Sequence, residues 1–542
     1  MIEKQIQPSR QLGYTQLYLD FLAGAGSARS FYSGQAVDET LRALDQIAFN
    51  RRELVDILHH QNESYHSSPS ARAAIDKLLD PLTVCVFGGQ QAGLFGGPMM
   101  TLLKALAIAK AARTLSAQLN RPVVPIFWIA GDDHDFDEAN HTYLLDRQGS
   151  LCRMEYAARP SVPAPMGQVQ FRDSAALDAS LATVRETLGD TEFTRDLHNL
   201  LSKCYTTGDT FVTAFGKWMA SITSEYGLVF FSPNDAAVKS LAQPLFRSVI
   251  EKQSELHVRL AERNQEIQAA EYHLQVQKQE NAVHLFVDLD GRKPVHRSDG
   301  QFVVGDRAFG TSELLELLET EPERFSPDVI TRPLLQAWLF PTAVQIGGPS
   351  EIAYFAQGNA LFDLFERPLP VHLARPTLML IEKRHARLID EYGIEFEEIA
   401  GDIEQLVNRI LSSSFPEDIE TRYEQLRGDI RSHFDNFSEK SLGFDPSLRE
   451  FANQTFGKID FALKTFEGKL FASHKKKSTD MREKIYRLQT ALYPNGAFQD
   501  RSLNIANFVA RYGFGVVSWL YESLDPFAAG PKMISMSEEK TK

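Results

Sequence analysis

The sequence predicts an α/β fold built on a parallel sheet, followed by long helices that pair as an antiparallel coiled coil. Three observations carry this. Short apolar runs recur that end in glycine-rich or acidic loops and lead into helices. A β-branched, alternating stretch with two Asp-Gly pairs interrupts them, and beyond residue 380 the apolar residues step by three and four.

The first runs set the pattern. "TVCVF" (residues 83–87) meets the glycine-rich "GGQQAGLFGGP", then "MMTLLKALAIAKAARTLSAQL" reads as a helix with Pro98 near its first turn, and "PVVPIFWIA" follows as a strand. Strand, glycine loop, helix and strand make a βαβ unit, whose parallel strands are buried on both faces and so read as continuous apolar runs. The glycine loop and the acidic stretch "DDHDFDEANH" therefore share the carboxyl edge of one sheet, where open α/β folds bind ligands. Two further strands are expected. "LVFFSP" (228–233) follows an amphipathic segment at 211–226 and ends in Asn234 and Asp235, while "TAVQI" (342–346) runs through "GGPSE" into a helix. Between them, residues 282–310 alternate, and Asp-Gly at Asp290 and Asp299 marks the hairpin turns of a small antiparallel insert.

Beyond residue 380, Tyr392, Phe396, Ile399, Ile403, Leu406 and Ile410 form one heptad seam. Phe456, Ile459, Leu463, Phe466 and Leu470 form another, continuing through His474 and Lys477 to Met481, Ile485, Leu488 and Leu492. Helices joined around Pro416 and Gly443 are expected, with Tyr423, Leu426, Ile430, Phe434 and Phe437 in a middle piece. Such a hairpin either dimerises or closes on itself. The domains read as 1–380, 381–500, and 501–542, the last comprising a helix at 504–520 that returns to the core and a frayed tail from 532.

Bulk properties narrow the function. At 542 residues, 43% hydrophobic and 24% charged, the chain is globular and too long for one ordinary core. A formal net charge of -14 disfavours general nucleic-acid binding. Cys85, Cys152 and Cys204 are scattered and odd in number, fitting neither a disulfide framework nor a CxxC site, so a reducing cytoplasm is expected. "MIEKQIQPSR" lacks the apolar region of a secretion signal, and no apolar run is long enough to span a bilayer, so no membrane association is expected.

Gly88 to Gly93 match the GxxxxG half of a P-loop, but Leu94 and Phe95 stand where Lys and Ser or Thr belong, and no GxGxxG is present. A glycine loop feeding a helix still offers N–H groups to an anion, although it equally serves as a tight turn that packs helix on strand. Gln90 and Gln91 read as ligand hydrogen-bonders, and Lys104, two turns into the helix, either reaches the crevice or is solvated. The acidic loop packs Asp132, Asp133, Asp135, Asp137, Glu138, His134 and His141 into ten residues. Imidazole with carboxylates suits a transition metal, yet HExxH and the cysteine-rich spacings are absent, so no metal ligand is assigned and metal use stays open. Acid/base work by Asp133, His134 and Asp135 is the preferred reading, a carboxylate orienting the histidine to deprotonate an amine or polarise a carboxyl. The competing reading makes Asp135 or Asp137 a helix cap.

"GGQQAGLFGGPMMTLLKALA", "PIFWIAGDDHDFDEANH", "EYHLQVQ", "RPLLQAWLFPTAVQIGGPSEIAYFAQ" and "PVHLARPTLMLIE" together resemble the signature blocks of the bacillithiol biosynthesis cysteine-adding enzymes, the BshC family, in the same order along essentially the whole chain. Departures are small: Gly88-Gly89 stands where the family often has Thr-Gly, the acidic block varies around its second acid, and "ARPT" replaces a frequent Pro-Arg-x-Ser around Arg375. The resemblance implies a Rossmann-like core with inserted connecting segments and a coiled coil used for homodimerisation. It implies a ligase that joins the carboxyl of L-cysteine to the amine of glucosaminyl malate. ATP or ADP is the implied nucleotide, in a pocket between core and coiled coil to which no residue here is assigned. On this reading Gln90, Gln91 and Gly93 bind a carboxylate or phosphate, and Glu351 holds an ammonium or serves its own helix dipole. Tyr354 lines the site or the core, Arg375 holds an anion, and His273 makes a polar contact. The rival readings are a metal-dependent hydrolase or deacetylase using the loop at 132–141, and a noncatalytic coiled-coil scaffold.

Overall fold

Five parallel strands organise the fold. β1 (Val84–Gln90), β2 (Val123–Ile129), β3 (Val229–Phe231), β4 (Thr342–Gly347) and β5 (Val371–Ala374) form one sheet in the order β5-β4-β1-β2-β3. The structure, a computed structural model, describes residues 3–32, 37–162, 164–414, 418–528 and 530–536. It divides into one unit of residues 1–383 with 497–542 and a second of residues 384–496. Four of the strands are those the apolar runs predict; β5 is too short and mixed to stand out by pattern.

Side chains of β1 and β2 alternate between two cores. Val84, Val86, Phe127 and Ile129 pack on one side, and Cys85, Phe87, Ile126 and Trp128 on the other. A sheet buried on both faces leaves no polar alternation, which is why these strands read as continuous apolar runs. Helix α1 (Met100–Leu119) packs into the first core through Leu102, Leu103 and Leu106. Helix α2 (Ala236–Glu251) packs into the second through Val238, Leu245 and Phe246.

The antiparallel insert is larger than residues 282–310. Its five strands lie in the order Arg307–Phe309, Gln301–Val304, Arg292–Ser298, Ala282–Asp288 and Phe325–Pro327, the last added after helix Thr311–Thr320. Asp299 (φ 48°) and Gly300 (φ 79°) both occupy positive φ, the pairing a two-residue hairpin turn requires.

The C-terminal segment departs from the sequence reading twice. The helix expected at 504–520 is two, Ala506–Tyr512 and Gly515–Ser523, because Gly513 at φ 72° breaks it; both halves do bury side chains in the core. The tail is not frayed from 532: Pro531–Ser535 is a strand held between Glu3–Gln5 and Thr377–Ile381. Residues 537–542 lie outside the described residues.

In the second unit the first seam is split into short helices, Phe396–Ala400 and Ile403–Ser414, after Gly393 at φ 56°; Phe396, Ile399, Leu406 and Ile410 are nonetheless buried. Helices Ile419–Phe444 and Arg449–Leu492 form the hairpin, with Phe434 against Phe456 and Arg427 paired with Asp460. Its turn lies at Pro446–Leu448, where the Asp445 carboxylate accepts the Ser447 N–H, so Gly443 stays inside a helix. Ile485, Leu488 and Leu492 are buried while Phe466 is exposed. Pro416 and the side chains of His474 and Lys477 lie outside the described residues.

Candidate active site

The carboxyl ends of β1, β2 and β4 open into a cavity of about 540 Å³, the size of a small-molecule site. Two glycines bring its walls together. A Cβ on Gly89 would lie 2.6 Å from the Trp128 carbonyl oxygen on β2, and one on Gly88 would lie 2.8 Å from Ile108 Cδ1 on α1. Beyond β1 the loop folds on itself: Gly93 N–H donates to Gln91 O (3.0 Å), Gly96 N–H to Tyr205 Oη (2.9 Å), Gly97 N–H to Leu94 O (2.9 Å) and Met99 N–H to Leu503 O (2.7 Å). Asn504 Nδ2 donates to the carbonyls of Phe95 and Gly97. These N–H groups have internal acceptors, and Phe95 is buried where a phosphate-binding side chain would stand, so the loop does not fit the phosphates of a nucleotide. Gly93 thus corrects to a tight-turn residue. It does not line the cavity, and a Cβ there would lie 2.8 Å from the Cα of Gly97.

The acidic loop distributes its charges. Asp132 takes Lys239 of α2 in a two-pronged ion pair (2.9 Å to each oxygen), with Lys239 buried and Asp132 nearly so. Asp133 accepts from Gln91 Nε2 through one oxygen and from the His134 backbone N–H (2.8 Å) through the other. The two loops are therefore joined directly at the cavity. His134 lines the cavity, but its Nδ1 is 3.8 Å from Asp133, too far for a hydrogen bond, so the expected carboxylate–histidine dyad is not formed. Asp135 accepts the Glu138 N–H (2.9 Å), the cap of helix Phe136–Ala139, and does not line the cavity. Asp137 pairs with Arg159, and His141 begins a hairpin strand, its ring beside Asn140 and Tyr143. Glu138 does line the cavity, its side chain still reaching solvent; partial desolvation and the charges of Asp135 and Asp133 hold its carboxyl above the usual range, against a hydrogen bond from Gln91. Among the described residues no group of three or more His, Cys, Asp or Glu side chains converges as a metal site.

The opposite wall is cationic. Lys104 does reach the crevice, buried, and its ammonium donates to Gly89 O (2.7 Å), Gln90 Oε1 (3.0 Å) and the Glu351 carboxylate. Burial pulls its pKa down while Glu351 opposes the shift. Glu351 also accepts the Gly348 N–H (2.8 Å) at the start of helix α3 (Pro349–Gly358), so the ammonium it holds is a protein one. Tyr354 lines the cavity and its oxygen accepts from Arg332 (2.7 Å); burial pushes its hydroxyl up to about 12. Arg375 lies in the cavity wall, but its guanidinium is paired with buried Asp500 at 2.5 Å and with Pro376 O at 3.0 Å. A protein carboxylate thus occupies the place proposed for a ligand anion. His273 is exposed and does not line the cavity, although Lys278 of the same irregular segment does.

The structure therefore gathers Gln90, Gln91, Lys104, Asp133, His134, Glu351, Tyr354 and Arg375 and leaves out Gly93, Asp135 and His273. Sequence reasoning missed Lys239, Arg292, Arg332 and Arg501. Arg292 lies 3.7 Å over the Phe286 ring and donates to Ser326 and Pro327. Its field partners are Asp132, Asp133 and Asp328. Asp328 is buried with His284 at 2.9 Å, which keeps the carboxylate charged despite burial, and it caps the turn leading to Arg332. Arg332 stood in a quoted signature block; the others carry no local signal.

Among the described residues no helix is long and apolar enough to cross a membrane. Residues 1–376 match the family model "Bacillithiol biosynthesis BshC, N-terminal Rossmann-like domain", and residues 378–536 match "Bacillithiol biosynthesis BshC, C-terminal coiled-coil domain". Curated relatives named "Putative cysteine ligase BshC" include one from Koribacter versatilis, 31% identical over 94% of this chain and 95% of its own length. One from Bacillus cytotoxicus is 31% identical over 86% and 88%, and one from Geobacillus kaustophilus is 29% identical over 96% and 98%.

Proposed function

The chain belongs to the BshC family of bacillithiol biosynthesis, and on that premise we propose that it is a cysteine ligase that forms the amide between the carboxyl of L-cysteine and the amine of glucosaminyl malate. The observation that carries the chemistry is one cavity with unlike walls. Asp133, Glu138 and His134 line it at the end of β2 and suit a cationic amine, while Lys104, Arg332 and Arg375 line it around the ends of β4 and β5. The amine must lose a proton before it attacks, and a carboxyl held above its usual range, as Glu138 is, is a stronger base for that task than an ordinary carboxylate. Gln91 holds Asp133 in place through its amide hydrogen bond.

Forming an amide from a free carboxylate needs activation, for which ATP is the proposed source. The glycine loop does not fit its phosphates. Three cysteines without a disulfide suit a reducing cytoplasm as the site of action. Homodimerisation through the second unit is supported by Phe437, Phe444, Phe451, Phe461 and Phe466, which are 64–92% exposed on the helical hairpin.

The test is mass spectrometry of thiols in cells lacking this gene, complemented by the wild type or by His134→Ala. Loss of the cysteine adduct with accumulation of glucosaminyl malate, rescued by the wild type, is the expected result. Unchanged thiols in a strain with no second ligase refute the function, and full rescue by His134→Ala removes that residue from the chemistry.

A further inference from the structure

The cationic wall holds four positive groups against one lining carboxylate, Glu351, and a second, Asp500, behind it. Lys104, Arg332, Arg375 and Arg501 line it; Lys104 lies in the field of Arg332 and Arg375, and Tyr14 and Tyr18 lie in that of Arg375 and Arg501, so Arg375 stands between the other two guanidiniums. Each carboxylate is committed: Glu351 to Lys104, Asp500 to Arg375. Arg332 is left with a neutral partner, the Tyr354 hydroxyl at 2.7 Å, and its guanidinium stands near the rings of Trp128 and Tyr354. Arg501 makes no side-chain hydrogen bond or ion pair among the described residues. Pro349 and Ser350, the first turn of α3, line the same wall.

The other two lining cations, Arg292 and Lys278, lie in the field of Asp132, Asp133 and Asp328, so Arg332 and Arg501 are the guanidiniums of this lining without a carboxylate, and a pair of them suits a dianion. Arg presents paired donors that match carboxylates two at a time. Cysteine has one carboxylate, and that group must stay free to react. A malyl group carries two carboxylates, neither of which takes part in the proposed amide bond.

We propose that Arg332 and Arg501 form the clamp for the malyl dicarboxylate of the amine substrate, leaving Arg375 as a positioning residue locked to Asp500. This rests on the ligase reading for the identity of the substrate. Phosphate shares the chemistry, and the test separates the two. Clamping the dianion at this wall directs the amine of the same molecule toward the acidic loop.

The experiment is calorimetric titration of the full-length protein with L-malate, inorganic phosphate and glucosaminyl malate. Malate is expected to bind the wild type, and its affinity to fall by about tenfold or more in Arg332→Gln and in Arg501→Gln. Phosphate is expected to compete poorly. Arg501 is exposed, so its variant tests binding without endangering the fold, and Arg332→Lys retains the charge where Arg332→Gln fails to fold. Undiminished malate affinity in Arg501→Gln together with Arg332→Lys overturns the clamp, as does absence of malate binding to the wild type. Phosphate binding as tightly as malate at the same arginines also overturns it, assigning the pair to a phosphoryl group. Turnover answers separately for the ligase reading: a wild type that binds glucosaminyl malate through both arginines yet forms no cysteine adduct refutes the reaction and leaves the clamp standing.

Discussion

Replacing Asp500 with alanine removes the carboxylate that faces Arg375. Both groups are buried, Arg375 at 5% exposure and Asp500 at none, and they meet at 2.5 Å. The guanidinium would keep only the Pro376 carbonyl at 3.0 Å. Breaking a buried ion pair by deleting one partner costs about 3–5 kcal/mol, because the survivor stays desolvated and uncompensated. At a denaturant slope of about 3 kcal/mol per molar urea or more, that loss moves the midpoint down by roughly 1 M. All four tryptophans, Trp128, Trp218, Trp338 and Trp519, lie in the first unit, so urea unfolding followed by their fluorescence reports the right part of the chain. The double variant Arg375→Met/Asp500→Leu is expected to recover most of the loss, since removing both charges removes the desolvation cost along with the attraction. If Asp500→Ala stays within about 1 kcal/mol of the wild type and Arg375→Ala abolishes glucosaminyl malate binding without unfolding, the pair is no lock and Arg375 is the ligand's anion site after all.

Gly89→Ala places a Cβ 2.6 Å from the Trp128 carbonyl, so β1 and β2 must separate where the cavity opens; a loss of about 1–3 kcal/mol with a fall in turnover is expected from thermal scans and product assays. Lys104→Met strands Glu351 and removes the tie to Gly89 and Gln90, at a cost of about 3–5 kcal/mol, part of which Glu351→Gln should restore. Burial holds the Lys104 pKa below 10.5, so between the folded value and 10.5 the unfolded chain binds more protons; this group's contribution to stability rises with pH across that window, and the slope should vanish in Lys104→Met. For Glu138, a carboxyl held above 4.5 is protonated and cannot accept a proton below its folded pKa. Activity should therefore rise with pH through an acid limb above 4.5, and Glu138→Gln should remove that limb from the kcat/KM profile; an unchanged limb assigns it elsewhere.

What could be read from sequence follows from how local the cause is. The ends of β1 and β2 are adjacent because a βαβ crossover makes them so, and the Gln91–Asp133 bond is a contact 42 residues apart that this topology dictates. The Lys239–Asp132 pair spans 107 residues and Arg375–Asp500 spans 125, and each depends on packing of elements that no motif links. Arg375 looked like a free anion-binder for that reason, since its partner sits in a short helix of the returning C-terminal segment. Gly93 and Asp135, which do not line the cavity, are hard to read for the opposite reason. Their roles are local, a turn and a cap, and a short motif cannot tell a backbone that serves itself from one that serves a ligand.

The same distinction decides what the crowded acidic loop is for. Of its five carboxylates, Asp135 is spent on a helix cap, Asp137 on Arg159 and Asp132 on a buried lysine. His141 has left for a hairpin. The set that suggested a hydrolase therefore does not converge, and what remains at the cavity is Asp133, tied to Gln91, with Glu138 and a solvent-facing His134. Desolvated Lys239 explains Asp132: without that carboxylate the lysine would sit buried and unpaired beneath the cavity floor. Most of the charge in the loop thus supports its own shape and that of the floor, and the remainder is the small acidic wall across from two arginines that have no carboxylate of their own. A substrate carrying an amine at one end and two carboxylates at the other bridges those walls, which is the arrangement a malyl amino sugar offers and a free amino acid does not.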